Sequence, residues 1–109
     1  LQESSVETLV LSANDISDDG VTEIAKTHRL IRKLKTLILI RNEIRNNGII
    51  QFGKCLNGSE LEQVYFGYNE IGDEGATSLI VSLGNSKIWW LDLSYNQITD
   101  VGMRELAPY

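Results

Sequence analysis

The chain is poor in the residues that usually carry chemistry or covalent bracing: its 109 residues include one cysteine, one histidine, one proline and one methionine. A lone Cys55 cannot close an internal disulfide, and it stands at no metal-ligand spacing from His28. With so few such side chains no catalytic triad is evident, and no GxxxxGK loop offers itself to a phosphate. No apolar run approaches the roughly 20 residues that cross a bilayer. The start of the sequence also lacks the basic, apolar and small-residue succession of a secretory signal. These absences lead us to expect a reducing, cytoplasmic setting, with no cofactor, no metal, no catalytic residue and no membrane partner.

What is present is ordinary for a folded protein. Apolar residues make up 42% and charged residues 23%, which suits one globular domain over residues 1–109. The net charge of -5 argues against nucleic acid as a partner. The cations are unevenly spread. Lys26, Arg29, Arg32, Lys33, Lys35, Arg41 and Arg45 share a stretch whose single acid is Glu43, which reads as a solvated face or as a basic edge that steers an acidic partner. Asn57-Gly58-Ser59 fits the N-glycosylation acceptor pattern, but Asn-Gly is also turn chemistry, and we favour the turn.

An internal repeat organises the rest. Val6, Leu9, Leu11, Asn14, Ile16, Asp18, Gly20 and Ile24 set a ladder that returns at Leu34, Leu37, Leu39, Asn42, Ile44, Asn46, Gly48 and Phe52. It returns again from Leu61 with Val64, Phe66, Asn69, Ile71, Asp73, Gly75 and Leu79, and from Ile88 with Leu91, Leu93, Asn96, Ile98, Asp100, Gly102 and Leu106. Successive asparagines lie 28, 27 and 27 residues apart. The alternating LxL predicts a short strand with its leucines turned inward. The asparagine follows where the chain leaves the strand, and its amide can satisfy both orphan N–H and orphan C=O groups. Asp18, Asp73 and Asp100 are expected to cap helices, with Asn46 as an uncharged substitute. The glycine two residues later is expected to let helix and strand approach closely. Apolar residues then recur at helical spacing, such as Ile49, Phe52 and Leu56 or Ala76, Leu79 and Leu83.

The LxxLxLxxNxIxDxGxxxL pattern resembles the leucine-rich-repeat family, and the long repeat with its DxG element is similar to the ribonuclease-inhibitor-like class. The expected fold is α/β, a right-handed leucine-rich-repeat solenoid of four repeats, with a concave parallel β-sheet and convex α-helices. The repeats run approximately over 6–33, 34–60, 61–87 and 88–109. The extra residue of the first falls near Leu30 and Ile31. No end cap is recognisable, so a longer array, or self-association through uncapped repeat ends, is expected.

Position in the repeat also assigns the outer sheet face. Ile38, Ile40, Arg41, Tyr65, Tyr68, Trp90, Asp92 and Tyr95 are expected to gather there as a partner-binding surface, since exposed aromatics with arginine are typical of interface hot spots. The resemblance places binding surfaces of the family on this concave side, so a non-catalytic protein-protein interaction module (scaffold, inhibitor or sensor domain) is the leading reading. The alternative is a GTPase-activating protein of the Ran-activator type, which resembles this repeat class and works from the strand-to-helix rim, here Arg41, Asn42, Glu43 and Arg45. His28, at the position of Leu56 and Leu83, and Cys55, among apolar neighbours, read as structural.

Overall fold

A computed structural model of the chain describes residues 7–27 and 33–100. The expectations placed on Val6, His28, Arg29, Leu30, Ile31, Arg32, Gly102 and Leu106 fall outside those residues. Strands β1 (Thr8–Val10), β2 (Thr36–Ile38), β3 (Gln63–Tyr65) and β4 (Trp90–Asp92) alternate with helices α1 (Asp18–Lys26), α2 (Asn46–Gly53) and α3 (Asp73–Ser82). The strands pair in sequence order and all in parallel, as expected of strand–helix–strand crossovers repeated along a solenoid. Register is the same in every pair: Leu9 faces Leu37, Leu37 faces Val64, and Val64 faces Leu91.

That register follows from side-chain alternation. Leu37 and Leu39, and then Val64 and Phe66, are fully buried, whereas Thr36, Ile38, Gln63 and Tyr65 are only partly so. A slip of one residue would turn the apolar set to solvent. From the helical side Val21, Ile49, Phe52, Ala76 and Leu79 close the same core. Phe52 of α2 meets Phe66 edge-on with ring centroids 5.2 Å apart. Each such fully buried large side chain contributes about 1.5–3 kcal/mol. The inward strand residues are fully buried in the second and third repeats, while their equivalents Leu9, Leu11, Leu91 and Leu93 are partly covered, because each repeat's apolar side is covered by its neighbours.

Asparagines at the strand ends tie successive repeats together. The Asn42 carbonyl accepts from the backbone N–H of Asn14 (3.1 Å) and of Ile16 (2.8 Å) in the preceding repeat. Its amide donates to the carbonyls of Leu11 and Leu39 at 3.1 and 3.0 Å. Asn69 repeats the arrangement: it accepts from Ile44 N and donates to Leu39, Phe66 and Gly67. Asn96 does the same toward Ile71 and Phe66. Asn42 and Asn69 are each 7% exposed, and the bonds that Asn69 makes, with that of Asn42 to Leu39 O, are buried away from water.

At the helix starts the structure corrects two expectations. Asp18 and Asp73 do not cap their own helices. The residues that precede the helices, Ser17, Arg45 and Gly72, are extended and make no side-chain cap bond. Asp18 and Asp73 are instead the first helical residues, and they reach to the next repeat: Asp18 Oδ1 accepts from Arg45 N at 2.6 Å, and Asp73 Oδ1 from Thr99 N at 2.8 Å. Asn46 acts likewise, accepting from Gly72 N at 2.7 Å and Gly75 N at 3.0 Å. A carboxylate is still favoured at the positive end of the helix, but the donors it satisfies belong to the neighbouring loop. The glycine is needed for a helix–helix approach rather than a helix–strand one. A Cβ on Gly75 would lie 2.5 Å from Asn46 Oδ1 and 3.0 Å from Asn46 Cα, and one on Gly48 would lie 2.9 Å from Asp18 Cα.

The Asn57–Ser59 segment is a turn, with Gly58 at φ +86°. Ser59 is buried behind it.

Two comparisons test this account. Asn69→Ala strands several buried backbone groups and is expected to cost about 3 kcal/mol, whereas Asn14→Ala, whose exposed amide bonds locally to Ser12 O, should cost less than about 1 kcal/mol. Urea midpoints at constant m value measure both, and equal losses would refute the ladder as the tie. Gly75→Ala should destabilise by about 1–3 kcal/mol through the clash with Asn46. At Gly84, where a methyl group meets nothing within 4 Å, alanine should be neutral or add up to about 1 kcal/mol.

Candidate binding surface

The common register arranges the outer side chains in rows that cross the sheet. One row is Thr8, Thr36, Gln63 and Trp90; the next is Val10, Ile38, Tyr65 and Asp92. Backbone bonding continues past the strands, with Leu11 N, Leu39 N and Phe66 N donating to Ile38 O, Tyr65 O and Asp92 O. Ser12, Ile40, Gly67 and Ser94 therefore form a third row. A fourth is Ala13, Arg41, Tyr68 and Tyr95, and all four of these adopt left-handed backbone, with φ between 56° and 61°. Non-glycine residues enter that region rarely and singly. Here it recurs at the same place in every repeat, immediately before the ladder asparagine, where the chain must turn off the sheet; Asp15 adds a second such residue in the first repeat.

Expected site residues thus fall into two groups. Ile38, Tyr65, Trp90 and Asp92 lie on the strands, with Ile40 just beyond them. Arg41, Tyr68 and Tyr95 form a separate column along the rim. Adjacent parallel strands lie about 4.8 Å apart, and identical backbone at each turn holds the rim side chains at a similar interval. Tyr68 and Tyr95 consequently stack, with centroids 4.3 Å apart and planes 10° from parallel. The Arg41 guanidinium carbon sits 4.2 Å from the Tyr68 centroid on the adjacent repeat, a cation–π contact. Tyr95 remains 72% exposed. Tyr65 leans back along β3, its hydroxyl donating to Gln63 Oε1 at 2.8 Å.

One exposed aromatic was not anticipated. Trp89 is 65% exposed beside the 50% exposed Trp90. It occupies the repeat position held by Glu7, Lys35 and Glu62, and charged residues at that position in the three other copies are the signal that it faces solvent.

The described residues of the basic stretch do not form one face. Lys35 sits where strand β2 begins, 4.0 Å from Glu62. Arg41 and Arg45 stand at the opposite end of the repeat, on the rim. Arg45 pairs with Glu70 at 2.9 Å, which, with its hydrogen bond, raises the guanidinium above its ordinary value. On the other edge Lys87 pairs with Glu60 at 2.9 Å, and its hydrogen bond and charge hold the Glu60 carboxyl below the usual range. These exposed pairs lie between adjacent repeats and contribute little to stability. A shallow hollow on the rim is lined by Ser17, Asp18, Asp19, Glu43 and Arg45. Among the described residues no group of histidine, cysteine and carboxylate side chains could hold a metal ion. No described helix is long and apolar enough to cross a membrane.

Comparison with known proteins agrees with this architecture. The family model described as "Leucine Rich repeat" matches residues 3–25, 61–79 and 90–107, together more than half of the chain. No curated protein matches the sequence. Among solved structures the chain is similar to leiomodin-1 actin-binding site 2, with a TM-score of 0.88 at 11% sequence identity, over 96% of this chain and 64% of that one. The chain therefore spans slightly less than two thirds of that neighbour, and at such identity the likeness is one of fold. With its repeated LxL strands, its asparagine ladder and its stack of parallel crossovers, the chain belongs to the leucine-rich repeat family.

Proposed function

We propose that the chain is a non-catalytic protein-interaction module of the ribonuclease-inhibitor-like type that docks a protein partner on its concave sheet face. The observation that carries this reading is the composition of that face. Ile38, Ile40, Tyr65 and Trp90 place apolar and aromatic surface side by side in rows that four strands hold rigid, with Tyr68 and Tyr95 along the rim. Rigid aromatic side chains bury much area on binding at little entropic cost. A contiguous patch of this kind on a soluble domain marks an interaction site. The leiomodin-1 fragment is by its name an actin-binding site, so a stack of this form is compatible with a protein as the class of partner.

Activation of a GTPase from the rim has weaker support. Asn42, the central polar residue there, is buried and occupied by backbone groups of two repeats. The Arg41 guanidinium lies on Tyr68, and Arg45 pairs with Glu70. Of the rim groups, Arg41, Asn42 and Arg45 are thus engaged within the chain.

Immobilised protein and a Tyr65→Ala/Trp90→Ala variant, used to capture partners from the native source, test the docking face. The double substitution should abolish capture while lowering the thermal midpoint by no more than about 5 °C. Undiminished capture by a folded variant would move the site off the sheet.

A further inference from the structure

Across the three rows on the sheet face, from Thr8 to Ser94, one side chain is charged, that of Asp92. Its carboxylate is held in place. Oδ1 accepts from Ser94 N at 3.0 Å and from Ser94 Oγ at 2.6 Å. Oδ2 reaches across to the third repeat and lies over Gly67, just past β3, where an added Cβ would come within 2.7 Å of it. A side chain at Gly67 would displace this oxygen. Among the described residues Oδ2 has no hydrogen-bond partner. Tyr65 stands directly opposite Asp92 on β3, and Trp90 precedes it by two residues on the same face of β4. A fixed carboxylate with one open oxygen thus occupies a sheet position next to those of two aromatic residues.

We propose that the partner presents an arginine from a basic segment to this position, donating to Asp92 Oδ2 and lying against Trp90 and Tyr65. The inference rests on docking at the sheet face and names the chemistry of what docks. A partner that covers the face removes Asp92 from water, and a carboxylate buried without a counter-charge is strongly disfavoured. A neutral or acidic segment is therefore rejected by the same contact that favours a cation. Guanidinium suits the site better than ammonium, because it is weakly hydrated and stacks on aromatic rings while it donates in plane. The chain already makes that contact internally, where Arg41 lies on Tyr68. Longer-range charge acts in the same direction. From Glu60 to Asp100 the sequence holds seven acids and the single cation Lys87, a field that draws in a basic segment.

The two tryptophans of the chain, Trp89 and Trp90, make intrinsic fluorescence a local readout. Titration with hexa-arginine should give a saturable change, hexalysine a weaker one and hexaglutamate none. Asp92→Asn keeps the shape of the side chain and should weaken hexa-arginine binding on the order of tenfold. Glu74→Gln, which removes the same charge from the exposed start of α3, should change it less than roughly twofold. Absence of saturation with hexa-arginine, an equal response to hexaglutamate, or equal effects of the two substitutions would overturn the proposal. Equal affinity for hexalysine would overturn the preference for arginine. The docking face is judged separately by partner capture: if Tyr65→Ala/Trp90→Ala loses the partner and Asp92→Asn retains it, the face stands and the cation assignment falls.

Discussion

Every repeat of this chain must turn off a three-residue strand without leaving its backbone unpaired in the interior, and one asparagine side chain meets that demand. Asn42, Asn69 and Asn96 each accept from the loop of the preceding repeat and donate to carbonyls on both sides of the junction. An amide that bonds both within its own repeat and to the preceding one fixes the offset between repeats, since a shifted register would leave the same groups unsatisfied. The other regularities depend on that offset. Leucines meet leucines across the sheet, the first residue of one helix reaches the loop of the next repeat, and the rim side chains fall into column.

The parts of the fold legible in the sequence are those written once per repeat. The LxL alternation, the asparagine and the helical spacing of Ile49, Phe52 and Leu56 each have one physical reading, and four copies reinforce it. Features that arise between repeats were harder to read. Asp18 and Asp73 have the composition of helix caps, and no single repeat reveals that their acceptors serve Arg45 and Thr99 a full repeat away. The glycine of the DxG element likewise looks like a concession to a strand, when the crowding comes from Asn46 and Asp18 on the preceding helix. The run of cations looked contiguous along the chain, yet one repeat is long enough to carry Lys35 to one end and Arg45 to the other.

The outer sheet face was legible in membership more than in arrangement. Alternation assigned Ile38, Tyr65, Trp90 and Asp92 to the outer face, since strand geometry leaves little choice. It could not show that Arg41, Tyr68 and Tyr95 stack as a column, because that depends on left-handed backbone at three successive turns. Such a conformation has no signature in residues as large as tyrosine and arginine. On the reading proposed above, rigid rows of apolar and aromatic side chains around one fixed carboxylate give the face both an area to bury and a charge to match.

The asparagine ties also have a direction. Each reaches backward, so the loop of one repeat is secured by a residue that lies about one repeat further along the chain. On a ribosome, which releases the chain from its N-terminus, a repeat that has already emerged waits for the arrival of its successor before its loop is locked. The solenoid is thus completed in the order in which it is made, each turn closed from behind by the next.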